Sequence, residues 1–212
     1  KDVEKALVDI ANIREQLAAG TEFQGFGPVV IGLTGVLALT MAASQSVWPH
    51  ILAPDQMTML LCWVVTATVG LVLIGAEMVA RCRRHHGDMA NAMLANAIEL
   101  FLPALFAGAA VGAVLATFKP DDLWLLPGLW QVFVALGVFA AAKFLPRSLT
   151  YVGAWYFLSG ITVLIMASGD AVLDPWMMGV PFATGQFLIA FLLHIASEPE
   201  NAEWRKPCTV RL

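Results

Sequence analysis

Three ionisable side chains lie in or at the edges of long apolar stretches, where a charge is costly unless it has a partner or a function. They are Glu77, Glu99 and His194. Carboxylates and an imidazole at one place can hold a proton or a cation, so one interpretation is a proton- or cation-linked polar site. The other interpretation is structural. Glu77 then pairs with Arg81 one turn away, and Glu99 and His194 extend toward the membrane surface.

Two amide side chains lie nearer the middle of the apolar stretches, and they are Gln131 and Gln186. Gly179 and Pro181 weaken the predicted helix just before Gln186. A broken helix beside a buried amide is a feature that a small ligand pocket can use. Hydrogen bonds between neighbouring helices explain the same amides equally well, so both interpretations stay open.

A serine nucleophile activated by a histidine is one catalytic arrangement to test, with Ser159 and His194 as its candidates. The two residues fall at different depths of their predicted spans, separated by about 13 Å at 1.5 Å per helical residue. A nucleophile and its base must be within hydrogen-bonding reach. We therefore expect no catalytic residue here and a protein that is not an enzyme.

One loop is rich in potential metal ligands, with Cys82, His85, His86 and Asp88 in one short stretch. The spacing matches no common zinc motif, and three arginines crowd the same loop. The four histidines of the chain all fall at the edges of the apolar segments, which does not suit haem ligation inside a bundle. The sequence therefore predicts neither a metal nor another cofactor.

The composition indicates a membrane protein, because 59% of the 212 residues are hydrophobic and only 13% are charged. A net charge of -4 argues against nucleic acid as a partner, since phosphate binding needs a basic surface. A helix needs about 20 apolar residues to cross a bilayer. Six segments meet this length, and they are residues 28–47, 57–79, 93–117, 124–143, 149–168 and 176–195.

The distribution of Lys and Arg predicts the orientation of these spans. Only Lys119 lies on one side, whereas the remaining basic residues lie on the other. They are Lys1, Lys5, Arg14, Arg81, Arg83, Arg84, Lys143, Arg147, Arg205, Lys206 and Arg211. Because basic loops stay in the cytoplasm, we expect both termini there, and the six spans form three hairpins.

Residues 2–18 predict an amphipathic helix rather than a span, with Ile10, Ile13 and Leu17 on its apolar stripe. Its polar positions carry no excess of basic residues, so attraction to anionic lipid is absent. The stripe therefore favours a protein surface, which can belong to its own bundle, to a second copy or to another protein.

Gly108 and Gly112 form a G-x-x-x-G pattern in the third span. Small residues at this spacing let two membrane helices approach closely. The pattern predicts packing within one bundle, with a dimer interface as the alternative.

The first forty residues contain Ile13-Arg14-Glu15, Thr21-Glu22-Phe23, Gly27, Gly32 and Gly35. With these stretches the chain resembles an uncharacterised family of bacterial integral membrane proteins with six spans and a short N-terminal amphipathic helix. The resemblance implies the six-span topology and no particular activity.

Taken together, the sequence predicts an all-α protein of a bacterial inner membrane, in contact with the lipid bilayer. Residues 1–27 hold the amphipathic helix and a glycine-rich elbow, 28–195 the six-helix bundle, and 196–212 a cytoplasmic tail. The leading functional hypothesis is a non-enzymatic accessory or regulatory protein that associates with itself or with a membrane complex. The alternative is a small transporter or ligand-binding protein with a polar site between helices.

The predicted orientation can be tested with reporter fusions. Green fluorescent protein fused after Leu212 should fluoresce, because it folds in the cytoplasm. Alkaline phosphatase inserted between Asp121 and Asp122 should be active, because it needs the outer side. Active phosphatase at the C-terminus would show the opposite orientation.

Overall fold

A computed structural model describes residues 27–84, 88–142, 148–170 and 173–203, with side chains described for 27–80, 98–142, 148–169 and 173–195. Over this part of the chain the structure is helical and contains no strand, which confirms the predicted all-α class. Six long helices are labelled α1 to α6 here. They are α1 Pro28–Val47, α2 Gln56–Arg84, α3 Asp88–Phe118, α4 Leu126–Ala141, α5 Leu149–Asp170 and α6 Pro175–Glu203. A single helical turn, Pro49–Leu52, follows α1, and a 3₁₀ helix, Pro120–Leu125, precedes α4.

Each long helix contributes one segment that is long and apolar enough to cross a membrane, the fourth of them together with the 3₁₀ helix. The first segment, Pro28–Val47, has the predicted bounds. The third, Ile98–Phe118, ends one residue beyond the predicted bound of 117, and the side chains of α3 before Ile98 lie outside the described residues. The fourth begins at Pro120 rather than at 124, since the 3₁₀ helix continues directly into α4.

Local sequence sets where the helices begin. Pro28 occupies the first turn of α1, where its missing N–H leaves no bond unmade. Asp55 precedes α2 and accepts hydrogen bonds from the Thr58 backbone N–H and the Thr58 hydroxyl, both at 2.8 Å. The backbone bond lowers the pKa of Asp55, because a hydrogen bond to the carboxylate favours its charged form.

Two apolar clusters form the core, and they occupy opposite halves of the bundle. The first lies toward the 3₁₀ helix and includes Ala42, Trp63, Leu123 and Met178, with parts of α3 packed against it. We call this side the 3₁₀ end and the opposite side, where α1 begins, the Pro28 end. The second cluster centres on Tyr156 and draws only on α4, α5 and α6.

The closest packing joins α1 to α6 and α4 to α5. The α1–α6 contact therefore links the first predicted hairpin to the third. Glycines permit both approaches. A Cβ on Gly179 would lie 2.5 Å from that of Ala42 in α1. A Cβ on Gly128 or on Gly160 would lie 2.8 Å from the carbonyl oxygen of the other. The backbones of α4 and α5 are therefore in direct contact at this crossing.

Helices α2 and α3 lie at the periphery. The main neighbour of α2 is α1, where Gly70 faces Thr34, and the main neighbour of α3 is α4. Although α2 and α3 are consecutive in the chain, their mutual packing is slight over the described residues. The bundle therefore has a tightly packed centre of four helices and two outer helices.

The glycine contacts predict which positions tolerate a methyl group. Gly160→Ala should lower the free energy of unfolding by about 1–3 kcal/mol, because overpacking against a backbone oxygen forces the helices apart. Gly75→Ala is the matched control, since nothing lies within 4 Å of a Cβ at Gly75. Unfolding in mixed detergent micelles measures both variants. Equal effects would contradict the proposed contact between α4 and α5.

Candidate functional site

Helix α6 contains an interior proline, and that proline leaves a backbone oxygen without its usual donor. Pro181 has no N–H, so the carbonyl of Met177, four residues earlier, loses its helical hydrogen bond. The side chain of Gln131 in α4 donates from Nε2 to this Met177 oxygen at 3.0 Å. Gln131 is fully buried. Its amide therefore replaces the bond that the proline removes.

Two aromatic side chains of α5 bond to the same stretch of α6. Trp155 donates from Nε1 to the Pro181 carbonyl at 3.1 Å, and the Tyr156 hydroxyl donates to the Phe182 carbonyl at 3.3 Å. Gln186 donates to the Tyr156 hydroxyl at 3.4 Å. We call Gln131, Trp155, Tyr156 and Gln186 the α6 polar seam.

Gly185 leaves the space that the Tyr156 ring of the seam occupies. The Tyr156 ring lies directly against Gly185, where any Cβ would overlap the ring. Tyr156 is fully buried and also packs against Phe182, with ring centroids 5.6 Å apart. A larger residue at 185 would therefore push Tyr156 away from the Phe182 carbonyl.

The seam is suited to holding helices together rather than to chemistry. Its four donor groups all have acceptors, and three of those acceptors are backbone oxygens of α6. One acceptor of the seam is not satisfied. The Oε1 atom of Gln131 is buried and has no hydrogen-bond partner among the described residues. The two predicted amides, Gln131 and Gln186, thus belong to one seam but bond to different groups.

Sequence reasoning missed Gln45 and the two aromatic residues of the seam. Gln45 is almost fully buried near the end of α1 and donates to the Met59 and Leu52 carbonyls at 3.1 and 3.4 Å. Its Oε1 likewise has no partner in the described part of the chain. Its position close to Pro49 makes it resemble a boundary residue, whereas its acceptors lie in the turn and in the helix α2 that follow α1.

The G-x-x-x-G pattern of α3 faces its own bundle. Trp130 of α4 lies over both glycines, 3.5 Å from a Cβ placed on either one, and its Nε1 donates to the Gly108 carbonyl at 3.1 Å. Gly108 and Gly112 thus leave a shallow groove on α3 that the indole ring of Trp130 fills. Both glycines therefore contact α4 of the same bundle.

Glu77, Glu99 and His194 all lie toward the Pro28 end. Each is about 20 residues from the opposite end of its helix, which corresponds to about 30 Å and to the thickness of the apolar core of a bilayer. Glu77 is half-buried, and Glu99 and His194 are exposed. Among the described residues no three His, Cys, Asp or Glu side chains are placed to hold a metal ion.

Helix register gives the neighbours of two of these residues. Thr34 faces Gly70 and Gly32 faces Ala190, so Glu77 on α2 and His194 on α6 lie level with the start of α1. Both side chains take part in interactions. The third, Glu99, lies on α3, which packs elsewhere. The structure therefore brings Glu77 and His194 to one helix terminus but not Glu99.

The hydroxyl of Ser159 donates to the Tyr156 carbonyl of its own helix at 3.2 Å. His194, the other residue of the serine–histidine hypothesis, lies at the Pro28 end of α6.

Several predicted features lie outside the described residues. They are the partner-binding stripe with Ile10, Ile13 and Leu17 and the side chains of Cys82, His85, His86 and Asp88.

A hollow of about 480 Å³ lies at the 3₁₀ end, lined by Asp55, Gln56, Met57, Pro120, Asp121 and Leu123. The hollow is open to the surroundings. The Asp55 carboxylate in it accepts hydrogen bonds from the backbone N–H and the hydroxyl of Thr58.

Comparison with protein-family models, with curated proteins and with solved structures finds no match to this chain.

The seam predicts a coupling between Gln131 and Pro181. Gln131→Met should lower the free energy of unfolding by about 1–3 kcal/mol, because the Met177 oxygen is left buried without a donor. In a Pro181→Ala background the loss should be smaller, since the substituted alanine supplies its own N–H to that oxygen. A double-mutant cycle, followed by unfolding in mixed micelles, measures the difference.

Gln186→Met is the control for this cycle. Its amide bonds to Tyr156 and not to the backbone oxygen that Pro181 releases. Its cost should therefore be the same in the native background and in the Pro181→Ala background. An equal cost of Gln131→Met in the two backgrounds would contradict the assigned role of Gln131.

Proposed function

We propose that this chain is a non-enzymatic accessory or regulatory protein of a bacterial inner membrane, which associates with itself or with a membrane complex. The observation that carries the proposal is the polar seam. Interior polar groups of a transporter or an enzyme face a cavity or a substrate. Here the amide and aromatic donors of the interior bond to the backbone of α6. The bundle thus resembles a scaffold whose contacts are made at its surface.

The proposed arrangement in the membrane is three hairpins with both termini in the cytoplasm. Its support is the distribution of Lys and Arg, because basic loops remain on the cytoplasmic side. The amphipathic segment 2–18 then lies beside the same membrane surface as Glu77 and His194. The resemblance of the first forty residues to bacterial six-span proteins supports the same plan, and membership of that family is part of the proposal.

The amphipathic segment is the proposed contact with the partner. Its apolar stripe includes Ile10, Ile13 and Leu17, and its polar positions lack the basic excess that binds anionic lipid. An apolar stripe of this length gains stability chiefly by packing against another protein surface. A second copy and a different membrane protein are both compatible with this chemistry.

A small transporter or ligand-binding protein is the second candidate. One observation favours it, since the Oε1 atoms of Gln131 and Gln45 are buried and have no partner within the described residues, and α6 contains the interior Pro181. Such oxygens can accept hydrogen bonds from a small ligand. The Nε2 atoms of the same amides, however, are already bonded to backbone oxygens. The accessory role therefore has the stronger support.

Purification in mild detergent tests the proposed role. The full chain should elute as an oligomer or with a bound membrane protein, and deletion of residues 1–18 should convert it to a monomer. The reason is that the deletion removes the apolar stripe while leaving the bundle intact. Size-exclusion chromatography with light scattering measures the mass of the protein component.

Two double variants separate the apolar stripe from a general effect of the segment. Ile10→Ser with Ile13→Ser should act like the deletion, whereas Glu4→Ser with Glu15→Ser should not. A full chain that is a strict monomer without a partner, unchanged by the deletion, would overturn the proposed function.

A further inference from the structure

The indole of Trp63 in α2 lacks a hydrogen-bond acceptor, unlike the indoles of Trp130 and Trp155. Those two donate from Nε1 to a backbone oxygen of a neighbouring helix, each at 3.1 Å. Trp63 is 4% exposed, and its buried Nε1 has no partner within the part of the chain that the structure describes. A buried N–H without an acceptor is costly, because it has given up its hydrogen bonds to water.

The complementary group belongs to Gln45, near the end of α1. Gln45 is 1% exposed, and its Nε2 group donates to the carbonyls of Met59 and Leu52. Its Oε1 atom is also buried but accepts no hydrogen bond from any described residue. Helices α1 and α2, which pack against each other, thus contribute one unpaired acceptor and one unpaired donor.

The contacts of both side chains place them close together. A Cβ on Gly179 would lie 2.5 Å from the Cβ of Ala42 and 3.7 Å from Cη2 of Trp63, so the indole ring lies beside Ala42. Ala42 precedes Gln45 by about one helical turn, and residues at this spacing share one face of a helix. On α2, Met59, whose carbonyl binds Gln45, precedes Trp63 by one turn. Trp63 and Gln45 therefore lie side by side where α1 contacts α2.

The chemistry of the two groups defines what can join them. The joining molecule must accept from the indole N–H and donate to the amide oxygen. Water is the smallest molecule that does both, and through two ordinary hydrogen bonds it joins groups about 5 Å apart. A metal ion cannot accept from an N–H, and the side chains clustered around Trp63 are apolar and offer no countercharge to an ion.

A source of water lies next to the same cluster. The hollow at the 3₁₀ end is open to the surroundings, and Met57 and Leu123 belong to its lining. Both residues also pack in the apolar cluster that contains Trp63. The 3₁₀ end of the bundle therefore gives water a short route to the contact between α1 and α2.

We propose that one water molecule is bound between α1 and α2, where it accepts a hydrogen bond from Trp63 Nε1 and donates one to Gln45 Oε1. Together with the bonds from Gln45 to Leu52 and Met59, this water links the last turns of α1 to the first turns of α2. The site does not depend on the accessory role proposed above. It also gives a structural explanation for one of the two buried oxygens that favour a ligand-binding role.

Nuclear magnetic resonance of the full chain in detergent micelles tests the site. The tryptophan side chains are labelled with ¹⁵N, and transfer of magnetisation from water to each indole proton is measured. The Trp63 proton, identified by its loss in Trp63→Phe, should show a nuclear Overhauser cross-peak with bound water. The indole protons of Trp130 and Trp155 should show none, because their acceptors are backbone oxygens. The sign of the rotating-frame cross-peak separates bound water from proton exchange.

Two substitutions identify the acceptor. Gln45→Met removes the amide oxygen, so the water cross-peak of Trp63 should be lost. Gln131→Met is the matched control and should keep that cross-peak, since Gln131 is also a buried amide but bonds to α6. The indole signals of Trp130 and Trp155 report in each sample that the bundle is folded. In the native chain, the side-chain amide protons of Gln45 should show a cross-peak with the same water, which identifies the acceptor even if Gln45→Met does not fold.

Two results would overturn the proposal. One is a native chain in which the Trp63 indole proton shows no cross-peak with bound water; a Trp63 signal that then shifts in Gln45→Met would reveal a direct bond between the indole and the amide. The other is a cross-peak that persists in a folded Gln45→Met chain, because the water would then be held by a different acceptor.

Discussion

In an apolar environment every backbone N–H and C=O must find its partner within the protein, because no water is there to supply one. Regular helices meet this requirement by themselves. Helix α6 does not, since Pro181 removes the donor for the Met177 oxygen, and the bond from Gln131 restores it. This hydrogen bond joins α4 directly to α6. Trp155 and Tyr156 then fix α5 against the next carbonyls of α6.

Close backbone approach is the second constraint, and it follows from the first. The side chains of the seam have a limited length. They reach the backbone of α6 only because α4 and α5 lie close to each other and close to α6. Gly128 and Gly160 allow the first approach, and Gly185 allows the second. The contact of α1 with α6 depends on Gly179 in the same way. Hydrogen bonds and glycines thus define one rigid centre, to which α2 and α3 are added from outside.

Much of the fold could be predicted from the sequence, because hydrophobic length and helix-breaking residues are local signals. The apolar segment of α1 has the predicted bounds, and Gln131 and Gln186 are recognisable as interior amides. The bond between Gln131 and Met177 was not predictable, since it joins residues far apart in the chain. Gln45 was missed because its acceptors, Leu52 and Met59, come into reach only when the chain turns back after α1. The different directions of Glu77 and Glu99 also needed the structure, since sequence gives depth but not which helices are neighbours.

The proline in α6 has a consequence for how the chain assembles. A helix that enters the bilayer with one unbonded carbonyl carries a free-energy cost until a donor reaches it. Helix α6 is the last of the six in chain order, so when spans are inserted in that order the Gln131 amide of α4 is already in place. Before α6 is inserted, the Nε2 group of Gln131 lacks its acceptor, and the Met177 oxygen lacks its donor until it contacts α4. The two groups then form one hydrogen bond. Insertion of the final helix would therefore complete the bundle, and a chain shortened before α6 would leave the Gln131 donor unpaired in the lipid.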